Sequence, residues 1–237
     1  MNGIKEKFES FYPSRTPERL YSAPGRTEIC GNHTDHQHGK VLAAAVELLS
    51  RAAVLPNNSG VIRVKSEGYD YFEIDLSELS PVTAERGTTA ALVRGVAAGF
   101  AMRGFGVGGF DAYVSSDVLP GSGLSSSASF EVLIGTVIND LGEFGLTPVE
   151  IACIGQYAEN VFFGKPSGLM DQTACAVGGF VAIDFADPAK PLIEKMSYDL
   201  TGAGYSFECE PFSYTTSWSG NAVAECVAYG PDGVPTT

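Results

Sequence analysis

Apolar positions along this chain recur with two periods, and the runs are separated by glycine- and serine-rich breaks. Ile4, Phe8 and Phe11 sit at helical spacing in a polar start, which predicts a short helix ending near Pro13. Residues 20–30 are small or apolar around Pro24-Gly25, without a clear period. Residues 31–40, GNHTDHQHGK, are too polar and turn-prone for a core element and predict a loop. An apolar run with Glu47 inside it follows at 41–49. Residues 61–66 and 71–76 are rich in β-type side chains around a polar turn at Glu67-Gly68, which predicts a hairpin.

Leu92, Val93, Val96 and Phe100 form a helical stripe that predicts a helix over 88–103. Phe110, Ala112 and Val114 alternate, so 106–117 contains a strand that stops before Pro120. Residues 119–123 read as loop and 125–141 as helix. Thr147-Pro148-Val149-Glu150 is a helix start, with a threonine cap, proline in the first turn and glutamate at the third position. That helix runs to about 163, and 164–168 breaks it. A short helix at 169–177 ends at Gly178-Gly179, and 180–185 and 190–200 alternate as strands. There is no internal repeat and no low-complexity linker. The order of elements predicts an α+β domain, without the βαβ series a doubly wound sheet needs.

Length and charge narrow the function. The chain's 237 residues suffice for one large domain or two small ones. Fifteen Lys and Arg against 28 Asp and Glu give a net charge of -13. Such a chain is a poor general binder of nucleic acid or anionic membrane, because long-range attraction to phosphate is missing. A local pocket for a small phosphate ligand, with a divalent cation to balance its charge, is compatible. No apolar stretch approaches the roughly 20 residues of a membrane span. The start MNGIKEKFES lacks the apolar segment of a secretion signal. Five scattered cysteines, an odd number with no CxxC pair, predict a reduced cytoplasmic chain with mostly buried thiols.

Three stretches carry candidate chemistry. In PGSGLSSSAS, 120–129, a glycine-rich turn runs into a helix whose first N–H groups are unpaired. Phosphate binds well at such a start, and Gly121 and Gly123 would let backbone close over it. Neither a Walker loop nor a dinucleotide fingerprint is present, and the same pattern also suits a plain connection with a serine cap. The second stretch holds His33, Asp35, His36 and His38. These are crowded for zinc, and suit either a loop that bonds substrate hydroxyls or an exposed loop. The third is GKPSGLMDQ, 164–172, where Asp171 reads as a helix cap or as a partly buried base. Glu159 lies just before it, among Tyr157, Phe162 and Phe163.

Taken together, APGRTEICGNHTDHQHGKVL (23–42), LPGSGLSSSAS (119–129) and GKPSGLMDQ (164–172) resemble, in order and spacing, the GHMP small-molecule kinases of the galactokinase group. The resemblance spans about 15–205. It implies an N-terminal domain like domain 2 of ribosomal protein S5 and a C-terminal ferredoxin-like domain. It implies ATP- and Mg2+-dependent phosphorylation of a sugar, galactose first, at its anomeric hydroxyl. By matching positions, Asp171 would be the catalytic aspartate and Arg26 its electrostatic partner. Asn32, His33 and Asp35 would meet the sugar. Gly121, Ser122, Gly123, Leu124, Ser125, Ser126 and Ser127 would wrap the phosphates, with Ser127 and Glu159 as magnesium ligands.

Two departures follow from the same comparison. The family's loop reads GEHTDY where this chain has Gly31-Asn32-His33-Thr34-Asp35-His36, so Asn32 stands in place of a charged residue. Another sugar kinase or a non-catalytic sugar binder is the alternative reading. The family's late glycine-rich motif and most of its second domain are not matched. The expected division is therefore a domain over 1–206 and an atypical tail over 207–237, truncated or frameshifted.

Overall fold

The structure is a computed structural model that describes residues 2–197 and the strands Ser206–Cys209 and Cys226–Tyr229. Helix α1 (Asn2–Phe11) leads into β1 (Arg19–Cys30) and β2 (Lys40–Asn57). The hairpin β3 (Val61–Ser66) and β4 (Phe72–Asp75) precedes α2 (Thr89–Ala101) and β5 (Gly109–Ser116). Helices α3 (Ser126–Leu141) and α4 (Pro148–Tyr157) follow, and α4 continues into a π-helical turn, Ala158–Phe163. Helix α5 (Met170–Val177) leads to β6 (Phe180–Asp184) and β7 (Leu192–Met196). Seven strands form one sheet in the order β4-β3-β5-β2-β6-β7, with β1 also on β2. Every pairing is antiparallel except β3 with β5. This is the α+β architecture that the order of elements predicts. Strands β8 (Ser206–Cys209) and β9 (Cys226–Tyr229) pair with each other. The rest of the expected tail at 207–237 lies outside the described residues, as does 198–200 of the last strand expected.

Strand alternation explains the layers. Ala52 and Val54 of β2 and Ala112 and Val114 of β5 face the main core beneath α2 and α3. Ala53 and Tyr113 point the other way and are covered by Ile4 and Phe8 of α1. A second core gathers Val41 and Ala43 of β2, Met170 and Ala174 of α5, and Val181 and Ile183 of β6. Helix α2 approaches the π-helical turn closely: a Cβ at Gly95 would stand 2.8 Å from Ala158 Cα. The cap expected at Thr147 forms, and a second one forms at Thr88. Thr88 accepts from Ala91 N–H, and Thr147 and Glu150 complete a capping box.

The sequence pattern had underestimated two strands. β1 extends through Pro24 because its ladder shifts register between Pro24 and Arg26, where a bulge accommodates the missing N–H. β2 is one strand of 18 residues, not a short apolar run. Its first half pairs with β6 and its last half with β5, while β1 follows most of its length. Of the cysteines whose burial is described, Cys175 is buried, Cys153 half-buried and Cys30 exposed. Among the described residues, no helix is long and apolar enough to cross a membrane.

Candidate active site

The three stretches singled out in the sequence converge where β1, the start of α3 and the start of α5 meet. Arg26 projects from β1 and is only 5% exposed. Its Nε and Nη2 both lie 2.7 Å from Asp171 Oδ1, and its Nη1 donates to Gly123 O at 2.7 Å. Its backbone N–H donates to Leu124 O at 3.1 Å. One residue thus ties the glycine–serine loop to α5. Asp171 does not cap its helix, since the cap position is Leu169 without a side-chain bond. Its other oxygen accepts from Ser125 Oγ at 2.5 Å. Burial pushes the Asp171 carboxyl up, but the Arg26 guanidinium and the bonds from Ser125 and Arg26 outweigh it. The net position is below the usual carboxylate range, so Asp171 is ionised at neutral pH.

The loop's backbone direction follows from these bonds. The carbonyls of Gly123 and Leu124 turn toward Arg26, and the peptides here are trans. In a trans peptide the N–H points opposite to the preceding carbonyl. The N–H groups of Leu124 and Ser125 therefore point away from Arg26. Ser125 takes a left-handed conformation (φ 57°) at the cap of α3 and makes no side-chain capping bond. Ser122 bonds Leu119 O within the loop, at 2.7 Å.

Ser126 and Ser127 open onto a cavity of about 750 Å³. Its wall includes Tyr69 and Phe72 from the hairpin, Thr89 and Leu92 from α2, and Phe163. The starts of two helices, α2 and α3, border this cavity, so positive dipole ends face it although the chain as a whole is acidic. Its lining was not legible in the sequence, because it is scattered from Ser50 to Phe163.

Beside the cavity, Ser127 Oγ donates to Glu159 Oε1 at 2.8 Å. Glu159 is fully buried in the π-helical turn, and Lys165 Nζ reaches the same oxygen at 3.0 Å. Gln172 Nε2 bridges Glu159 and a second buried acid, Glu131, at 2.8 and 2.9 Å. Burial, and then the charge of Glu159, push the Glu131 carboxyl well up, and the Gln172 hydrogen bond offsets this only in part. Among the described residues, Glu131 Oε1 and Gln172 Oε1 have no partner. Lys165, Glu131 and Gln172 were not singled out in the sequence. An acid inside the apolar run of α3 was the available signal.

On the loop 31–39, Asp35 is buried and its Oδ2 accepts from Met170 N–H at 3.4 Å. Gly168 makes room for it: a Cβ there would stand 1.8 Å from Asp35 Oδ2. The three histidines have separate partners, His33 with Glu28, His36 with Asp35 and His38 with Ala186 O. Asn32 and His33 both take left-handed conformations (φ 55° and 51°) and are exposed. Among the described residues, no three His, Cys, Asp or Glu side chains gather as a metal site.

An ionised aspartate held by a buried arginine therefore lies beside the glycine–serine loop, next to the serines that line the cavity. Residues 91–179 match the family described as GHMP kinases N terminal domain, and residues 6–56 match the galactokinase galactose-binding signature. The galactokinase of Streptomyces coelicolor is 34% identical over 206 residues, which is 85% of this chain and 52% of that protein. The galactokinase of Chloroflexus aurantiacus is 37% identical over 172 residues, 72% of this chain and 43% of its own. The crystal structure of Lactococcus lactis galactokinase complexed with galactose superposes with a TM-score of 0.75 at 25% identity. That superposition covers 87% of this chain and 53% of the other. The chain belongs to the GHMP kinase family, and its N-terminal domain is galactokinase-like. It spans about half the length of the curated relatives it matches.

Proposed function

We propose that this chain is the sugar- and nucleotide-binding part of an ATP-dependent sugar kinase that phosphorylates an anomeric hydroxyl, with galactose as the favoured sugar. The observation that carries the reading is the Arg26–Asp171 pair, placed between the polar loop 31–39 and the start of α3. The galactokinases among its relatives favour galactose, and the altered loop residue Asn32 leaves other hexoses as the alternative.

In this reading the apolar cavity takes the nucleobase, and the N–H groups and serines at the start of α3 hold the phosphates. Asp35 and His33 orient sugar hydroxyls. Asp171, already ionised, accepts the hydrogen bond of the attacking hydroxyl and takes its proton late, as phosphoryl transfer makes that hydroxyl acidic. A loose transition state asks for little more than this, since positioning and charge stabilisation do most of the work. Arg26 keeps the carboxylate aimed and offsets charge that develops beside it.

Ser127 and Glu159 suit magnesium. The ion keeps several waters and takes one or two protein oxygens with the substrate phosphates, so a three-acid cluster is not required. Ser127 and Glu159 would hold the ion, and Lys165, which now bonds Glu159 Oε1 at 3.0 Å, would have to yield that oxygen to it. When bound, the ion neutralises phosphate charge.

The test is ADP release from ATP and magnesium over a panel of neutral hexoses, pentoses and uronic acids, with sugar binding followed in parallel. Turnover that is largest with galactose supports the full reading. Sugar binding without ADP release would reduce the chain to a sugar-binding relative.

A further inference from the structure

We infer that Glu28 contacts the sugar and determines specificity at this site, supplying from β1 the carboxylate that the loop residue Asn32 lacks; the inference rests on the sugar-kinase reading above.

The placement follows from the strand. Residues 26–28 form a regular stretch of β1, pairing with Ala45, Ala44 and Ala43 between two register shifts. Side chains two apart on such a stretch share a face, so Glu28 stands beside Arg26 on the side where Asp171 lies. Ala43, opposite Glu28, faces the core built with α5, which gives the same direction. The register shift after Glu28 ends the regular ladder and lets the chain turn into the loop.

Glu28 is set there by the loop itself. Its Oε1 accepts from the His33 backbone N–H at 2.9 Å, and its Oε2 faces His33 Nε2 at 3.2 Å. The Glu28 side chain is 12% exposed, while the His33 ring is 56% exposed. His33 also bears electrostatically on Asp171. A carboxylate held at two points, mostly out of water and open on one side, is prepared to accept from sugar hydroxyls, which form strong bonds to charged acceptors. The same charge repels a second carboxylate. The site therefore favours neutral sugars over uronic acids.

Glu28→Gln separates contact from scaffolding, because the amide oxygen still accepts from His33 N–H while the charge is lost. Binding of galactose, glucose and galacturonic acid to the 237-residue chain is measured by ligand-observed NMR, together with ATP binding and thermal melting. We expect Glu28→Gln to weaken the preferred neutral sugar at least tenfold and to raise galacturonic acid relative to it. ATP affinity and melting temperature should stay the same. Asn32→Glu added to Glu28→Gln should restore part of the neutral-sugar affinity. Unchanged sugar affinity and ranking in Glu28→Gln would overturn the assignment. So would an equal loss for ATP and sugar with a lowered melting temperature, which marks a scaffolding role. Failure of the unmodified chain to bind any sugar would instead overturn the kinase reading, and Glu28 with it.

Discussion

Arg26 and Asp171 are 145 residues apart in sequence and meet at 2.7 Å. The arginine reaches the aspartate with two nitrogens and the backbone of the glycine–serine loop with the third. Arg26 therefore links the charge of Asp171 to the backbone of the loop.

Asp171→Asn keeps shape and removes charge. On the best sugar it should lower turnover by roughly 100-fold or more, the scale of a lost general base, and leave sugar and ATP binding within a few-fold. ADP release under saturating substrates measures this. Turnover near that of the unmodified protein would show that another group receives the proton.

Ser127→Ala removes a hydroxyl that lies 2.8 Å from Glu159. The magnesium concentration for half-maximal ATP binding should rise several-fold, while binding of sugar alone stays the same. A magnesium titration of ATP-dependent thermal stabilisation gives the answer without any turnover. An unshifted titration would exclude Ser127 as a ligand.

Gly168→Ala would drive a Cβ into Asp35, whose carboxylate must then leave its pocket. Sugar affinity should fall at least tenfold, with ATP affinity little changed. Equilibrium binding of both ligands checks it. Retained sugar affinity would mean that Asp35 is not a sugar contact.

Glu131 gives a pH signature. Burial, followed by the nearby Glu159, raises its carboxyl well above the usual range, so the folded state holds this proton more tightly than the unfolded state. The folded state binds more protons between the two values, and stability from this group falls as pH rises from about 4.3, the ordinary value, toward the folded one. Glu131→Gln replaces the carboxyl by a neutral amide and so removes the effect. The variant should melt about 2–4 °C higher at pH 8, roughly 1 kcal/mol for a domain of this size, with a smaller gain at pH 5. Melting curves at the two pH values test it, and equal gains at both would reject the titration.

The helices were legible because their signals are local. Thr147 to Glu150 form a capping box within one turn, and the stripe from Leu92 to Phe100 lies on one helix face. The strand β1 was not, since Pro24-Gly25 reads as a break and is admitted only by a shift against β2. Nor was the length of β2, whose alanines carry little β propensity and are held there by neighbours on both sides. Within the candidate site, Asp171 was legible as a helix cap or a partly buried base and Arg26 only through the resemblance, and their contact is tertiary. Glu28 was missed because nothing in 20–30 announced a strand face. Glu131 was missed because an acid in an apolar helix becomes informative only once Gln172 and Glu159 are seen beside it.

The long strand β2 also sets the order in which the chain can be completed during synthesis. Its first residues, Lys40 to Ala44, pair with β6, which ends at Asp184. At about 5–20 residues per second, the ribosome needs on the order of ten seconds to deliver that partner. Meanwhile one edge of the growing sheet is bare, and Arg26 is waiting for the carboxylate that will neutralise it. The nascent chain is thus most open to chaperones and to mispairing before α5 and β6 emerge.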